Sequence, residues 1–198
     1  MPLPPVLCVL LLAACGEPEE VTRGREVYGT YCALCHGANG EGYDSPRANA
    51  LTNEDFLVSA TDAFLTAGIE QGRSDTKMSA FGEVYGGPLS DRKVSDLIAF
   101  FRYEQAGDSV RLSGGTISGD ALAGASIYAE DCALCHGESG EGDTALSLSN
   151  PVFLATASDG FIEYAIRHGR RGTAMQGYSG HLSDQDIDNL VAFIRGWE

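Results

Sequence analysis

Positive charge is scarce in this chain. Its 198 residues carry 13 Lys and Arg against 28 Asp and Glu, a formal net charge of −15. That excludes nucleic acid as a partner, because binding a polyphosphate needs a basic footprint. The first half carries thirteen acids against nine bases over residues 21–112, and the second twelve against four over residues 113–198. A basic or neutral protein partner fits this imbalance through long-range attraction that salt would screen; an acidic surface serving solubility fits it equally. Long apolar runs are missing too. Residues 6–14 form an apolar stretch of nine residues, too short to span a bilayer. No βαβ pattern is visible, so a thioredoxin-like dithiol has no frame to sit in. Methionine is almost absent, with three residues including the initiator.

Cysteine is sparse and fully accounted for. Of six residues, four lie in a run that occurs twice, Cys32-Ala33-Leu34-Cys35-His36-Gly37 and Cys132-Ala133-Leu134-Cys135-His136-Gly137. The other two, Cys8 and Cys15, lie in the N-terminal segment, so no disulfide is expected. Cys-x-x-Cys-His is the attachment signature of c-type haem. On a helical turn, residues three apart share a face. Both thiols can therefore bond the two vinyl groups of one porphyrin, while the adjacent His sits beneath the iron as proximal ligand. The competing reading is one zinc site built from both Cys-x-x-Cys knuckles, which leaves both histidines without a role. Two copies imply two haems.

The copies extend well beyond the motif. Gly24 and Tyr28 correspond to Gly124 and Tyr128, four apart on one face of a helix leading into each motif. A small residue on that face lets another helix approach closely. Past Gly-Glu-Gly at 40–42 and 140–142 the offset falls from 100 to 97, pairing Phe56 with Phe153 and Thr61 with Ser158. Thr61 and Ser158 are N-cap candidates for helices carrying Phe64 and Ile69, or Phe161 and Ile166, and ending near Gly72 or Gly169. At the same offset Met78 pairs with Met175, each six residues after its glycine. Methionine is ordinarily a core filler; this coincidence makes Met78 and Met175 the candidate distal iron ligands, opposite His36 and His136. His168 and His181 have no counterparts in the first copy and read as surface residues. The offset then falls to 93, where Leu89-Ser90-Asp91 matches Leu182-Ser183-Asp184. Val94, Leu97, Ile98 and Phe101 then match Ile187, Leu190, Val191 and Ile194, one apolar stripe per closing helix.

These residues, from 21 to 197, resemble the class I cytochrome c family twice over. The resemblance implies an all-α fold of two tandem cytochrome c-like domains, each a small helical shell around one covalently bound haem c, working in one-electron transfer and not as an enzyme. Many family members have Met-Pro at the distal ligand, where this chain has Met78-Ser79 and Met175-Gln176. Similar tandem architecture occurs in soluble di-haem cytochromes, membrane-anchored oxidase subunits and electron-delivery subunits of dehydrogenases. The expected function is therefore relay of single electrons between a membrane-associated donor and an acceptor in a periplasmic chain. The rivals are a subunit permanently docked on a membrane respiratory complex and a haem enzyme with a labile distal Met. Arg167, Arg170 and Arg171 are candidates for neutralising haem propionates or docking a partner, with a solvated face as the alternative.

Domain boundaries follow from the repeat. Residues 1–14 read as a lipoprotein-type signal peptide, 15–20 as lipidated Cys15 and a short tether, 21–103 as the first domain, 104–120 as a surface linker and 121–198 as the second domain. Leu12-Ala13-Ala14-Cys15 resembles the lipobox of bacterial lipoproteins, which implies export to the periplasmic side and anchoring in a membrane through acyl chains on Cys15. Residues 1–5 hold no Lys or Arg, unlike the usual basic n-region, and an ordinary cleaved secretory signal is the alternative. Mass spectrometry of the mature N-terminus is expected to find acylated Cys15 as the first residue; an unmodified Cys15 or a different cut removes the anchor.

Overall fold

The computed structural model describes residues 16–45 and 47–198. The expected signal peptide and Cys15 lie outside the described residues. Ten α-helices occur among the described residues, and no strands. The first half holds α1 (Glu19–Tyr31), α2 (Ala33–His36), α3 (Glu54–Leu57), α4 (Asp62–Gln71) and α5 (Asp91–Glu104); the second holds α6 (Ala121–Asp131), α7 (Ala133–His136), α8 (Pro151–Thr156), α9 (Asp159–His168) and α10 (Asp184–Arg195). The halves follow one plan, helix for helix.

Local chemistry explains most helix ends. Thr61 and Ser158 cap α4 and α9 by accepting from the N–H of Phe64 and Phe161. Gly72 and Gly169 end the same helices at φ 67°. Ser183 caps α10 in a reciprocal box with Asp186, whereas Ser90, at the matching place on α5, makes no side-chain cap bond. Helix α1 begins at Glu19, inside the segment read as tether, because Pro18 stops the chain and its carbonyl takes the N–H of Val21 and Thr22. Two acids, Glu19 and Glu20, suit the positive end of that helix.

In each half the first helix crosses the last at a glycine. A Cβ on Gly24 would stand 2.0 Å from the carbonyl oxygen of Asp96 on α5, and one on Gly124 2.1 Å from that of Asn189 on α10. No larger residue allows these crossings. The expected stripes line them: Val94, Leu97, Ile98 and Phe101 on α5, and Ile187, Leu190, Val191 and Ile194 on α10, are all buried. One arginine per half ties the last helix to the turn between the two middle ones. Arg102 donates to Asp62 at 2.7 Å and to the carbonyls of Leu57 and Ala60. Arg195 does the same with Asp159, Leu154 and Ala157.

The halves meet across a seam with approximate two-fold symmetry. Asn53, which caps α3, donates to the carbonyl of Arg171 at 2.8 Å, and its counterpart Asn150, which caps α8, donates to that of Ser74 at 2.9 Å. Phe56 meets Phe161 and Phe64 meets Phe153, both with centroids 6.2 Å apart, and Phe64 and Phe161 meet at 4.7 Å. The phenylalanines paired by the repeat thus pack against the other half. Asp55 breaks the symmetry: 4% exposed, it accepts from the backbone N–H and guanidinium of Arg171, where the second copy has Val152 and the first has Ser74.

Past Glu104, which still belongs to α5, the linker has no regular structure and is mostly exposed, yet it is strapped to both halves. Gly107 N–H donates to Glu54, Val110 N–H to the Val58 carbonyl, and Ile117 N–H to Asp159. Gly24→Ala is expected to lower stability by about 1–3 kcal/mol, the cost of overpacking. Gly29→Ala, on the same helix with nothing within 4 Å of a Cβ, should instead raise it by about 0.5–1 kcal/mol. Denaturant unfolding of the haem-loaded protein followed by circular dichroism measures both.

Candidate haem sites

Each Cys-x-x-Cys-His run forms a tight turn directly after the first helix of its half. Cys32 closes α1 with its N–H on the Tyr28 carbonyl, and the N–H groups of Cys35 and His36 return to the Cys32 carbonyl. Cys132, Cys135 and His136 repeat the pattern on Tyr128. Below the turn, the Tyr28 hydroxyl donates to the carbonyl of Gly37, and the Tyr128 hydroxyl to that of Gly137, both at 2.7 Å. The buried tyrosine thus fixes the residue that follows the histidine. Burial raises both phenols well above the ordinary value, so they stay neutral donors.

The histidines are prepared as ligands. Both are buried, each 8% exposed. His36 Nδ1 lies 2.9 Å from the carbonyl oxygen of Asn49, and His136 Nδ1 2.9 Å from that of Leu146. A carbonyl only accepts, so Nδ1 carries the proton and the Nε2 lone pair is available to a metal. Burial pushes both imidazoles below the usual histidine pKa, against a smaller upward pull from the carbonyl, which favours the neutral form that metal binding requires.

Burial at the first cysteine of each run works against a redox dithiol. Burial, and secondarily Cys35, raises Cys32 to about 12; burial, then Asp131 and Cys135, raises Cys132 to about 11. Reactive dithiols have depressed values. Nor do the two knuckles converge, since no three His, Cys, Asp or Glu side chains gather as a metal site among the described residues. What remains is a pair of thiols beside an imidazole clamped on its far edge, in each half, and this fits c-type haem.

Met78 and Met175, both half-buried, sit in two loops held by equivalent hydrogen bonds. The Arg73 N–H donates to the Met78 carbonyl at 2.8 Å, and the Arg170 N–H to that of Met175 at 2.8 Å. Thr76 Oγ1 takes the Met78 N–H at 3.0 Å and donates to the Arg73 carbonyl at 2.7 Å; Thr173 does the same for Met175 and Arg170. The threonine hydroxyl stiffens the approach to each methionine in a chain that lacks Met-Pro. Gly72 is required there, because a Cβ would stand 2.5 Å from the Met78 carbonyl oxygen.

Sequence reading missed the Thr76 and Thr173 braces and the Arg102 and Arg195 ties, although all four recur at the repeat offsets. It also grouped Arg167, Arg170 and Arg171 as one basic cluster. In the fold they part: Arg167 pairs with Glu163 and Asp184, Arg171 with Asp55, and Arg170 lies over the rings of Phe56 and Phe161. His168 and His181 are exposed, as expected.

Comparison with known proteins agrees with this geometry. The family described as cytochrome c oxidase, cbb3-type, subunit III matches residues 19–101 and 119–194. The cbb3-type cytochrome c oxidase subunit FixP of Azorhizobium caulinodans is 31% identical over 184 residues, covering 86% of this chain and 57% of that protein. Subunit CcoP of Cereibacter sphaeroides is 26% identical over 188 residues, covering 87% and 59%. The chain therefore spans under two thirds of the length of these relatives. A chain of the Kuenenia stuttgartiensis reducing HAO-like protein complex Kustc0457/Kustc0458 shares the fold, with TM-score 0.57 and 21% identity over 92% of this chain and 97% of that one. With its two tandem cytochrome c domains and two covalently bound haem c groups, this chain belongs to the cbb3-type cytochrome c oxidase subunit III family.

Proposed function

We propose that this chain relays single electrons between a membrane-associated donor and an acceptor on the periplasmic side, through two haems in series. Cys32 and Cys35 would hold the first haem covalently and Cys132 and Cys135 the second, with His36 and Met78, and His136 and Met175, as the residues that would bind the irons. Haem c supplies the one-electron iron couple. The chain's own residues seat it: the Nδ1 clamps aim each imidazole, Tyr28 and Tyr128 brace the turns beneath, and Thr76 and Thr173 present each thioether. The observation that carries this reading is the near identity of the two sites, each with an imidazole and a methionine in matching positions. With a histidine and a methionine both committed to each haem, the chain would offer no place to a substrate and would act as a carrier, not an enzyme. His/Met ligation raises the reduction potential, suiting the oxidising end of a respiratory chain.

A second reading, permanent docking as the electron-delivery subunit of an oxidase, draws on the relatives, which are named as oxidase subunits. No helix among the described residues is long and apolar enough to cross a membrane. Attachment in this proposal rests on lipidated Cys15, some 20 Å or less of extended chain from the first domain.

The reduced protein is expected to resist carbon monoxide, and the oxidised protein to show the far-red methionine-to-iron band. Met78→Ala and Met175→Ala should each open one haem to carbon monoxide and halve that band; wild-type binding would restore the enzyme reading. A redox titration with isolated membranes tests the relay: one membrane complex should reduce the haems and another reoxidise them. Reduction and reoxidation only within one co-purifying complex would favour the docked subunit.

A further inference from the structure

Two arginines at the seam are paired by the repeat and lack an anionic partner. Arg73 and Arg170 correspond at the offset of 97. Each is half-buried and laid against aromatic rings: Arg73 5.6 Å from the Phe64 centroid, Arg170 5.4 Å from Phe161 and 5.8 Å from Phe56. Neither belongs to the ion pairs among the described residues. The one carboxylate that acts on Arg170, Asp55, is already engaged by Arg171.

A guanidinium has five N–H donors, and few are used here. The Arg73 side chain donates only to its neighbour's carbonyl, Gly72 O at 3.1 Å. Arg170 Nη1 donates to Gly169 O at 3.1 Å and Asp55 O at 3.3 Å. No side-chain nitrogen or oxygen in the described residues is both sealed and unpartnered, so the unused N–H groups open onto accessible space.

Such a charge calls for an anion from outside the polypeptide. Both arginines hang from the loops that carry the methionines, their backbone N–H groups bonded to the Met78 and Met175 carbonyls. The anions that a c-type haem brings to this place are its two propionate carboxylates, and a guanidinium fork matches a carboxylate edge to edge. We propose that Arg73 and Arg170 are the propionate-binding residues of the first and second haem. The charged edges of both porphyrins are thereby drawn towards the seam, and the guanidiniums act as positioning groups that also tune each iron. This inference rests on haem occupying both sites between the named His and Met residues.

The test is spectroelectrochemical titration of the haem-loaded full chain and of Arg73→Gln, Arg170→Gln and the two Lys variants. Removing the cation leaves propionate charge uncompensated and disfavours the reduced iron. Each Gln variant should lower one potential and leave the other near wild type. The expected shift is about tenfold in the redox equilibrium, the scale of one hydrogen bond to a charged group, or about 59 mV for one electron. The Lys variants, which keep the charge, should recover most of it. Unchanged potentials in both Gln variants overturn the proposal, as do Lys variants that fall as far as Gln. A shift accompanied by loss of the far-red methionine band also overturns it, by reporting a displaced ligand. Absence of that band from the wild type would instead count against the axial assignment and is read separately.

Discussion

Everything in either half is arranged around one hydrogen bond, from the imidazole Nδ1–H of the motif histidine to a loop carbonyl 2.9 Å away. It fixes the tautomer, orients the ring and leaves the Nε2 lone pair available to a metal. Several other features serve to hold its two ends. The buried tyrosine grips the residue after the histidine, and the glycine crossing brings the first and last helices close enough to bury that tyrosine. The arginine ties of α5 and α10 then fix the middle helices on the same frame. The carbonyl comes from thirteen residues downstream in the first half and ten in the second. Loop length varies, then, while the bond does not.

The seam adds a second level of order. A gene-duplicated pair of small domains could hang apart on a flexible tether, but here the N-cap asparagine of one half donates to the opposite half's methionine loop, reciprocally. Each Asn thereby links helix initiation in its own half to the position of the loop in the other. Four phenylalanines fill the space between, where apolar burial is the main driving force. The single ion pair of Asp55 with Arg171 and the straps from the linker make the arrangement asymmetric in detail. The seam ties the two haem-binding halves to each other through hydrogen bonds and packed rings as well as through the linker.

The methionine loops carry a hydrogen-bonded restraint. A threonine two residues before each methionine has its hydroxyl bonded both to the methionine N–H and to the arginine carbonyl. Neither loop has Met-Pro, and both copies carry the same brace.

Much of this was legible in the residues alone. The two Cys-x-x-Cys-His runs, the tandem halves, the capped closing helices and the Gly24 and Gly124 crossings all depend on near neighbours along the chain or on 3.6-residue periodicity, which sequence spacing records directly. Three things were not. The carbonyls that clamp His36 and His136 are backbone groups, which every residue carries and no letter marks, and they sit where the repeat offset changes. The basic cluster of Arg167, Arg170 and Arg171 was adjacent in sequence but is divided among three environments, because successive residues of a turn point different ways. The seam itself joins residues about a hundred positions apart, such as Asn53 with Arg171 and Phe64 with Phe161. Covalent order set what each half is and which cofactor it takes. Only the packing of distant surfaces, driven by apolar burial and closed by reciprocal hydrogen bonds, decided how the halves face each other and which arginines there are left without an ion pair.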